Sequence, residues 1–85
     1  MGQATEIYSK EFDALFAGLP SGIRVRITEK IRLIGTRLES FPHERLQGRS
    51  EFRLRVGDYR VIYEFDVGRN EILLVTVGHR RDVYR

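Results

Sequence analysis

Arginine side chains in the second half of the sequence are the groups best suited to carry out chemistry. Arg53 and Arg55 alternate with apolar residues, and Arg60 follows them after a Gly57-Asp58 pair. A guanidinium group donates hydrogen bonds from a planar fork that matches carboxylates and phosphates. This pattern predicts a surface that binds anions, and an RNA strand is one ligand of that kind.

A hairpin turn at Gly57-Asp58 determines which way these arginines point. A two-residue turn with glycine first places Arg55 directly opposite Arg60. Because successive strand residues point to opposite faces, Arg53, Arg55 and Arg60 share one face, which we call the arginine face. Like charges opposite each other destabilise a hairpin. We therefore expect a counter-anion, which is either a ligand or one of three nearby carboxylates, those of Glu51, Asp58 and Glu64.

The C-terminal segment adds polar groups beside this face. His79, Arg80 and Arg81 follow a third strand and are expected close to Arg60, and Tyr84 lies four residues after Arg80. Arginines in such a patch can hold a phosphate and stabilise charge that develops on it, while the tyrosine ring stacks on a base. The ordinary alternatives are solvated arginines with carboxylate partners, a tyrosine that packs at the C-terminus and a histidine in an exposed turn.

Two helices are predicted before these strands. A short strand is expected at residues 5–8, followed by Ser9 as the N-cap of a helix that ends near Gly18. A longer helix after Ser21 carries an apolar stripe at helical spacing, which consists of Ile23, Ile27, Ile31, Ile34 and Leu38. The two helices form a predicted hairpin, and residues 40–50 are predicted to be a loop.

Alternation of apolar and polar residues predicts three strands after the loop, over residues 52–56, 59–66 and 71–78. The turns between them are short, so the strands form an antiparallel meander. With the helical hairpin packed on one face, the expected fold class is α+β in the order β-α-α-β-β-β, as one domain of residues 1–85.

Composition excludes several classes of protein. The 85 residues include no cysteine, which excludes disulfides and thiolate chemistry, and only two histidines, so we predict neither a metal site nor a cofactor. No apolar segment is long enough to span a membrane, and the N-terminus does not resemble a secretion signal, so we expect a cytoplasmic protein. The net charge of +3 lies in residues 45–85, where we expect an anion to bind.

Two segments carry a resemblance to a known family. They are residues 52–63, FRLRVGDYRVIY, and residues 77–84, VGHRRDVY. Together they closely resemble the RelE branch of the RelE/ParE toxin superfamily from type II toxin-antitoxin systems. The resemblance covers nearly the whole chain and implies a RelE-like fold. It also implies a ribosome-dependent endoribonuclease, an mRNA interferase that cuts mRNA in the ribosomal A site and so inhibits translation.

The resemblance implies a mechanism and a set of partners as well. In that mechanism the ribose 2′-hydroxyl attacks the adjacent phosphate, leaving a cyclic phosphate and a free 5′-hydroxyl. The implied partners are a cognate antitoxin, the ribosome and mRNA, with operator DNA contacted only through the antitoxin. No cofactor and no membrane are implied.

Site residues follow from the motif positions. The implied catalytic residues are Arg53, Arg55, Arg60, Arg80 and Tyr84, and the implied substrate contacts are Arg53, Arg55, His79 and Arg81. Arg60 and Arg80 hold the scissile phosphate in this scheme, while Tyr84 stacks on the reacting nucleotide. Arg53 or Arg55 lies near the proton transfers, yet a guanidinium is a poor general base. Either it acts electrostatically, or the ribosome supplies the missing groups, or the activity is altered, with His79 as a local substitute.

Two other functions stay open at this point. The same fold serves the ParE branch, whose members poison DNA gyrase without cutting RNA. The arginine face can instead dock an acidic or amphipathic antitoxin segment, in a complex that represses transcription by binding DNA. Gyrase supercoiling assays, and charge reversal at Arg55 or Arg60, distinguish these functions from mRNA cleavage.

Overall fold

Two helices and five strands make up the fold. In the computed structural model, which describes residues 2–83, they are β1 (Thr5–Tyr8), α1 (Lys10–Ala17), α2 (Ser21–Thr36), β2 (Glu44–Arg45), β3 (Phe52–Val56), β4 (Tyr59–Asp66) and β5 (Glu71–His79). Each helix and strand predicted from the sequence is confirmed. The prediction of an uninterrupted loop over residues 40–50 is wrong, because β2 lies within it. A strand of two residues is too short to show any periodicity.

The five strands form one sheet in the order β1-β5-β4-β3-β2. Strands β3, β4 and β5 are the predicted antiparallel meander. Strand β1, for which no partner was predicted, joins the edge of β5 in parallel, with Thr5 opposite Glu71 and Tyr8 opposite Leu74. A parallel pair requires a long connection, and here the helical hairpin and the first strands of the meander supply it.

The predicted turn between β3 and β4 is confirmed in detail. Gly57 has φ +60°, and Asp58 is not among the described residues with positive φ, as expected for a two-residue turn with glycine first. Its consequence is the predicted register, in which Arg55 pairs with Arg60 and Arg53 pairs with Ile62. The turn thereby determines which side chains lie on the arginine face.

Helix α1 begins at the predicted cap. The Oγ atom of Ser9 accepts a hydrogen bond from the backbone N–H of Phe12 at 2.9 Å. The same hydroxyl donates to the backbone carbonyl of Val75 at 2.6 Å. One side chain therefore both caps α1 and joins it to β5, which orients the helical hairpin over the sheet.

The core lies between the helical hairpin and one face of the sheet. Ile27, Ile31 and Ile34 of α2 are almost completely buried, as is Phe12 of α1. The sheet contributes Leu54, Val56, Val61, Tyr63, Ile72, Leu74 and Val77. Each such side chain stabilises the fold by roughly 1.5–3 kcal/mol when it leaves water. The helices thus cover one face of the sheet and leave the arginine face open.

The length and apolar character of the two helices differ from those of a membrane-spanning helix. Neither α1 nor α2, the two helices in residues 2–83, combines the length and the apolar character that a membrane-spanning helix needs.

Candidate functional site

The arginine face forms as the sequence predicts. Arg53 and Arg55 of β3 and Arg60 of β4 lie on the side of the sheet away from the helices, by the register of the hairpin. Ile62 lies on this same face but is only 2% exposed. Its cross-strand neighbour is Arg53, whose side chain is itself 24% exposed. The guanidinium groups therefore lie over a partly apolar surface, where electrostatic interactions are stronger than in bulk water.

Glu44 is the counter-anion of this face, and the sequence did not identify it. Strand β2 pairs with β3 so that Glu44 lies directly opposite Arg53. The Oε2 atom of Glu44 accepts a hydrogen bond from Nη2 of Arg53 and lies 3.5 Å from Nη2 of Arg55. One carboxylate thereby offsets the repulsion between neighbouring guanidinium groups. Glu44 lies in a segment without periodicity, so no sequence pattern pointed to it.

The three carboxylates named from the sequence have other partners. Glu51 forms an ion pair with Arg49 at 2.5 Å, and Glu64 accepts a hydrogen bond from Ser50 at 3.4 Å. The Oδ1 atom of Asp58 lies 3.9 Å from Nε of Arg80, and both side chains are well exposed. The expectation of a counter-anion is therefore met, but by Glu44, because the short strand β2 brings it alongside β3.

The neighbouring arginines determine the ionisation state of the Glu44 carboxyl group. The hydrogen bond from Arg53 and the positive charges of Arg53 and Arg55 hold the pKa of Glu44 below its ordinary value, against a smaller opposing effect of desolvation. Glu44 is therefore ionised at neutral pH. The arginine face consequently contains an unprotonated carboxylate among guanidinium groups, which can accept a proton where the arginines cannot.

Arg60 and Arg80 meet at the turn between β3 and β4. The Nη1 atom of Arg60 donates to the backbone carbonyls of Gly57 at 2.7 Å and Tyr59 at 2.8 Å. The backbone N–H of Arg80 donates to the carbonyl of Asp58 at 2.8 Å. Arg60 of β4 is thereby anchored to the turn through its guanidinium, and Arg80, which directly follows β5, is anchored to it through its backbone. The anchoring of Arg60 orients its guanidinium before any ligand arrives.

The segment after β5 makes one helical turn. The N–H groups of Asp82 and Val83 both donate to the carbonyl of His79. Arg81 is exposed on this turn, and its N–H donates to Nδ1 of His79 at 3.2 Å. Tyr84, which was predicted to join the site, lies outside the described residues.

His79 lies apart from the arginine face. It pairs with Tyr59, and the two rings are in edge contact with centroids 5.5 Å apart. Both residues line a groove of about 510 Å³ beside α1, together with Leu15 and Leu19. The backbone of His79 is close to Arg60, but its side chain is on the helix side of the sheet. Its Nδ1 atom is engaged by the turn, so the structure does not bring this ring together with Arg53 and Arg55.

Metal ligands do not converge at this site. Across residues 2–83 there is no group of three or more histidine, aspartate or glutamate side chains that could hold a metal ion. The charged side chains of the arginine face can bind anions through their guanidinium groups and accept a proton at the Glu44 carboxylate.

Comparison with solved structures places this fold among RelE toxins. The RelBE2 toxin-antitoxin complex of Mycobacterium tuberculosis aligns with a TM-score of 0.77 at 21% identity, covering 96% of this chain and 97% of that chain. The RelE-RelB complex of Pyrococcus horikoshii aligns with a TM-score of 0.77 at 23% identity, covering 96% and 100%. For the isolated E. coli RelE toxin the TM-score is 0.77 at 14% identity, with coverages of 89% and 83%.

Sequence comparison assigns the family. A search of curated proteins finds no significant match. A family model described as the ParE toxin of the type II toxin-antitoxin system parDE matches residues 7–84, which is nearly the whole chain. The fold resembles the RelE toxins, as expected from the two sequence motifs. The chain therefore belongs to the ParE toxin family, within the RelE/ParE superfamily of type II toxin-antitoxin systems.

Proposed function

We propose that this toxin is a ribosome-dependent endoribonuclease that cleaves mRNA in the ribosomal A site. The observation that carries the proposal is the arrangement of the arginine face, in which Glu44 lies between Arg53 and Arg55. Arg60 and Arg80 stand at the adjacent turn. A phosphodiester needs cations around its oxygens and a base beside its 2′-hydroxyl, and this face offers both.

Arg60 and Arg80 bind the scissile phosphate in this proposal. Cleavage passes through a pentacoordinate phosphorus that carries more negative charge than the ground state, and guanidinium groups held in place stabilise it. The two hydrogen bonds from Arg60 to backbone carbonyls already orient its guanidinium, so RNA binding requires no further free energy to orient it. Arg81, exposed on the neighbouring turn, contacts the substrate beyond the scissile bond. His79, whose ring is on the helix side of the sheet, is given no substrate contact in this proposal.

Glu44 acts as the general base, a role that Arg53 and Arg55 cannot fill. Its carboxylate takes the proton from the ribose 2′-hydroxyl as that oxygen attacks the adjacent phosphorus. The bond from phosphorus to the 5′-oxygen breaks, and this oxygen receives a proton from water or a ribosomal group. The products are a 2′,3′-cyclic phosphate and a free 5′-hydroxyl. Arg53 and Arg55 orient Glu44 and the phosphate, while Tyr84 stacks on the reacting nucleotide, as the resemblance implies.

A cognate antitoxin is the second partner that we propose. The similar toxins of M. tuberculosis and P. horikoshii were solved in complexes with their antitoxins. The arginine face is open and basic, so an acidic segment of the antitoxin fits it by charge. Occupation of this face blocks RNA binding, and operator DNA is contacted only through the antitoxin. Because ribosomes are the target, the toxin acts in the cytoplasm.

Cleavage of mRNA on programmed ribosomes tests the proposal directly. We expect the wild-type toxin to cut within the A-site codon and the Arg80→Ala variant to lose this activity. The Arg80 side chain is well exposed and its ion pair is long, so its removal leaves the fold intact. Arg69→Ala, an exposed arginine at the far end of the sheet, is the matched control and should cleave normally. Absence of cleavage by the wild-type toxin would rule the proposal out.

Inhibition of DNA gyrase is the alternative function, and the family match favours it. The model that matches residues 7–84 is described as a ParE toxin. Gyrase poisoning without RNA cleavage is the activity that resemblance to the ParE branch implies. A gyrase supercoiling assay separates the two functions. The nuclease proposal expects no effect on supercoiling at toxin concentrations that cleave mRNA on ribosomes, whereas a gyrase poison gives the reverse pattern.

A further inference from the structure

A half-buried histidine ring next to the arginine face has no part in the mechanism described above. His43 immediately precedes Glu44, but its ring stacks on Phe65 with centroids 3.9 Å apart. It also contacts the rings of Phe41, Phe52 and Tyr63. A polar ring enclosed by four aromatic side chains loses contact with water on most sides. Its nitrogens must therefore find partners within the protein.

Both ring nitrogens of His43 have such partners. The Nε2 atom lies 2.7 Å from the backbone carbonyl of Leu38, and Nδ1 lies 2.7 Å from the hydroxyl of Tyr63. A carbonyl only accepts hydrogen bonds, so Nε2 donates to Leu38. Burial and the charge of Glu44 raise the pKa of Tyr63, so its hydroxyl keeps its proton. The imidazole thus has a hydrogen-bond partner at each nitrogen in this one orientation.

Glu44 needs such support because β2 is very short. Only two pairs join β2 to β3, Glu44 with Arg53 and Arg45 with Phe52, and both β2 residues are exposed. So short an edge strand is not held by its ladder alone. Since neighbouring residues in an extended segment point to opposite sides, packing of the His43 ring against the aromatic rings on the helix side directs Glu44 to the arginine face.

We infer that His43 is a positioning residue that holds Glu44 between Arg53 and Arg55, by joining the start of β2 to Tyr63 of β4 and to Leu38, just after α2. The inference rests on the proposed function insofar as it makes Glu44 the general base. The placement of Glu44 itself is independent of that function and can be measured separately. Tyr63 helps to position Glu44 in the same way, because its hydroxyl fixes the orientation of the imidazole.

Two substitutions test the inference. Tyr63→Phe removes one hydroxyl and keeps the aromatic ring, and His43→Phe removes both hydrogen bonds while keeping a ring among the four aromatic side chains. Tyr8→Phe is the matched control, since it removes a tyrosine hydroxyl bonded to Glu6 at the other edge of the sheet. The pKa of Glu44 is read for each folded protein from its carboxyl carbon shift in an NMR titration, and cleavage is read on programmed ribosomes.

We expect the pKa of Glu44 to rise toward its ordinary value in Tyr63→Phe and His43→Phe, and to stay unchanged in Tyr8→Phe. Cleavage should fall by up to about 100-fold in the first two, because a small misplacement of a catalytic group has that effect. His43→Gln, whose amide can donate to the Leu38 carbonyl, should restore part of both readouts. An unchanged Glu44 pKa in folded His43→Phe and Tyr63→Phe overturns the inference, whether or not the wild-type toxin cleaves RNA. A shifted pKa with unchanged cleavage overturns the link to catalysis.

Discussion

Replacement of Arg60 by alanine is expected to have a small effect on stability and a large effect on catalysis. Its guanidinium donates to two carbonyls of the turn between β3 and β4, those of Gly57 and Tyr59. Both carbonyls belong to residues with access to solvent, so water replaces the lost donors. We therefore expect Arg60→Ala to lower the free energy of unfolding by about 1 kcal/mol. For a domain of this size that change lowers the melting temperature by roughly 4–8 °C.

The expected effect of Arg60→Ala on cleavage is far larger. Removal of one oriented donor to the charge of a transition state costs about 100- to 1000-fold in rate. A small domain is stable by about 5 kcal/mol or more, so a loss of 1 kcal/mol leaves nearly all of the protein folded. Partial unfolding therefore cannot account for the loss of rate. Arg60→Lys keeps a charge but not the fork, and its rate should lie between those of alanine and arginine.

Single-turnover cleavage on programmed ribosomes, combined with thermal unfolding, measures both quantities for Arg60. Arg69→Ala serves as the control, because it removes an exposed arginine at the other end of β4 and leaves the arginine face unchanged. If Arg60→Ala cleaves within threefold of the wild-type rate, Arg60 does not stabilise the transition state. If instead its loss of rate merely follows its loss of folded protein, Arg60 has only a structural role.

Three further changes test other parts of the account. Ser9→Ala removes the cap of α1 and its bond to β5, and should lower the free energy of unfolding by about 1–2 kcal/mol in urea denaturation. Gly57→Ala places a side chain at φ +60°, and should destabilise the protein by about 1–2 kcal/mol in the same experiment, whereas an unchanged midpoint contradicts the assigned turn. The lowered pKa of Glu44 implies that cleavage is lost only as pH falls through that lowered value, because the carboxylate is then protonated. In Arg53→Ala this acidic limb of the rate profile should move to higher pH, and an unmoved limb argues against Glu44 as the base.

The sequence predicted most of the architecture because its signals were local. The cap at Ser9, the apolar stripe of α2 and the glycine turn each act over a few residues, and together they determine the meander and its register. The partner of β1 was not predictable in this way. Its pairing with β5 joins segments more than sixty residues apart, and no local pattern records it.

The candidate site was predictable to a similar degree. Arg53, Arg55 and Arg60 were placed correctly, since strand alternation and one turn suffice to orient them. Glu44 was missed because its position depends on a strand of two residues and on a tertiary contact of its neighbour His43. The predicted position of His79 was correct for its backbone, which lies close to Arg60. Its side chain was not placed correctly, because alternation along β5 points it to the helix side of the sheet.

The chemistry of the cleaved ends tests the central proposal most directly. Wild-type toxin is incubated with ribosomes carrying an end-labelled mRNA of defined A-site codon, and separately with the same mRNA without ribosomes. We expect a cut within the A-site codon, dependent on the ribosome, with a 2′,3′-cyclic phosphate on one fragment and a 5′-hydroxyl on the other. Intact mRNA on programmed ribosomes, together with inhibition of gyrase supercoiling by the same preparation, would contradict it.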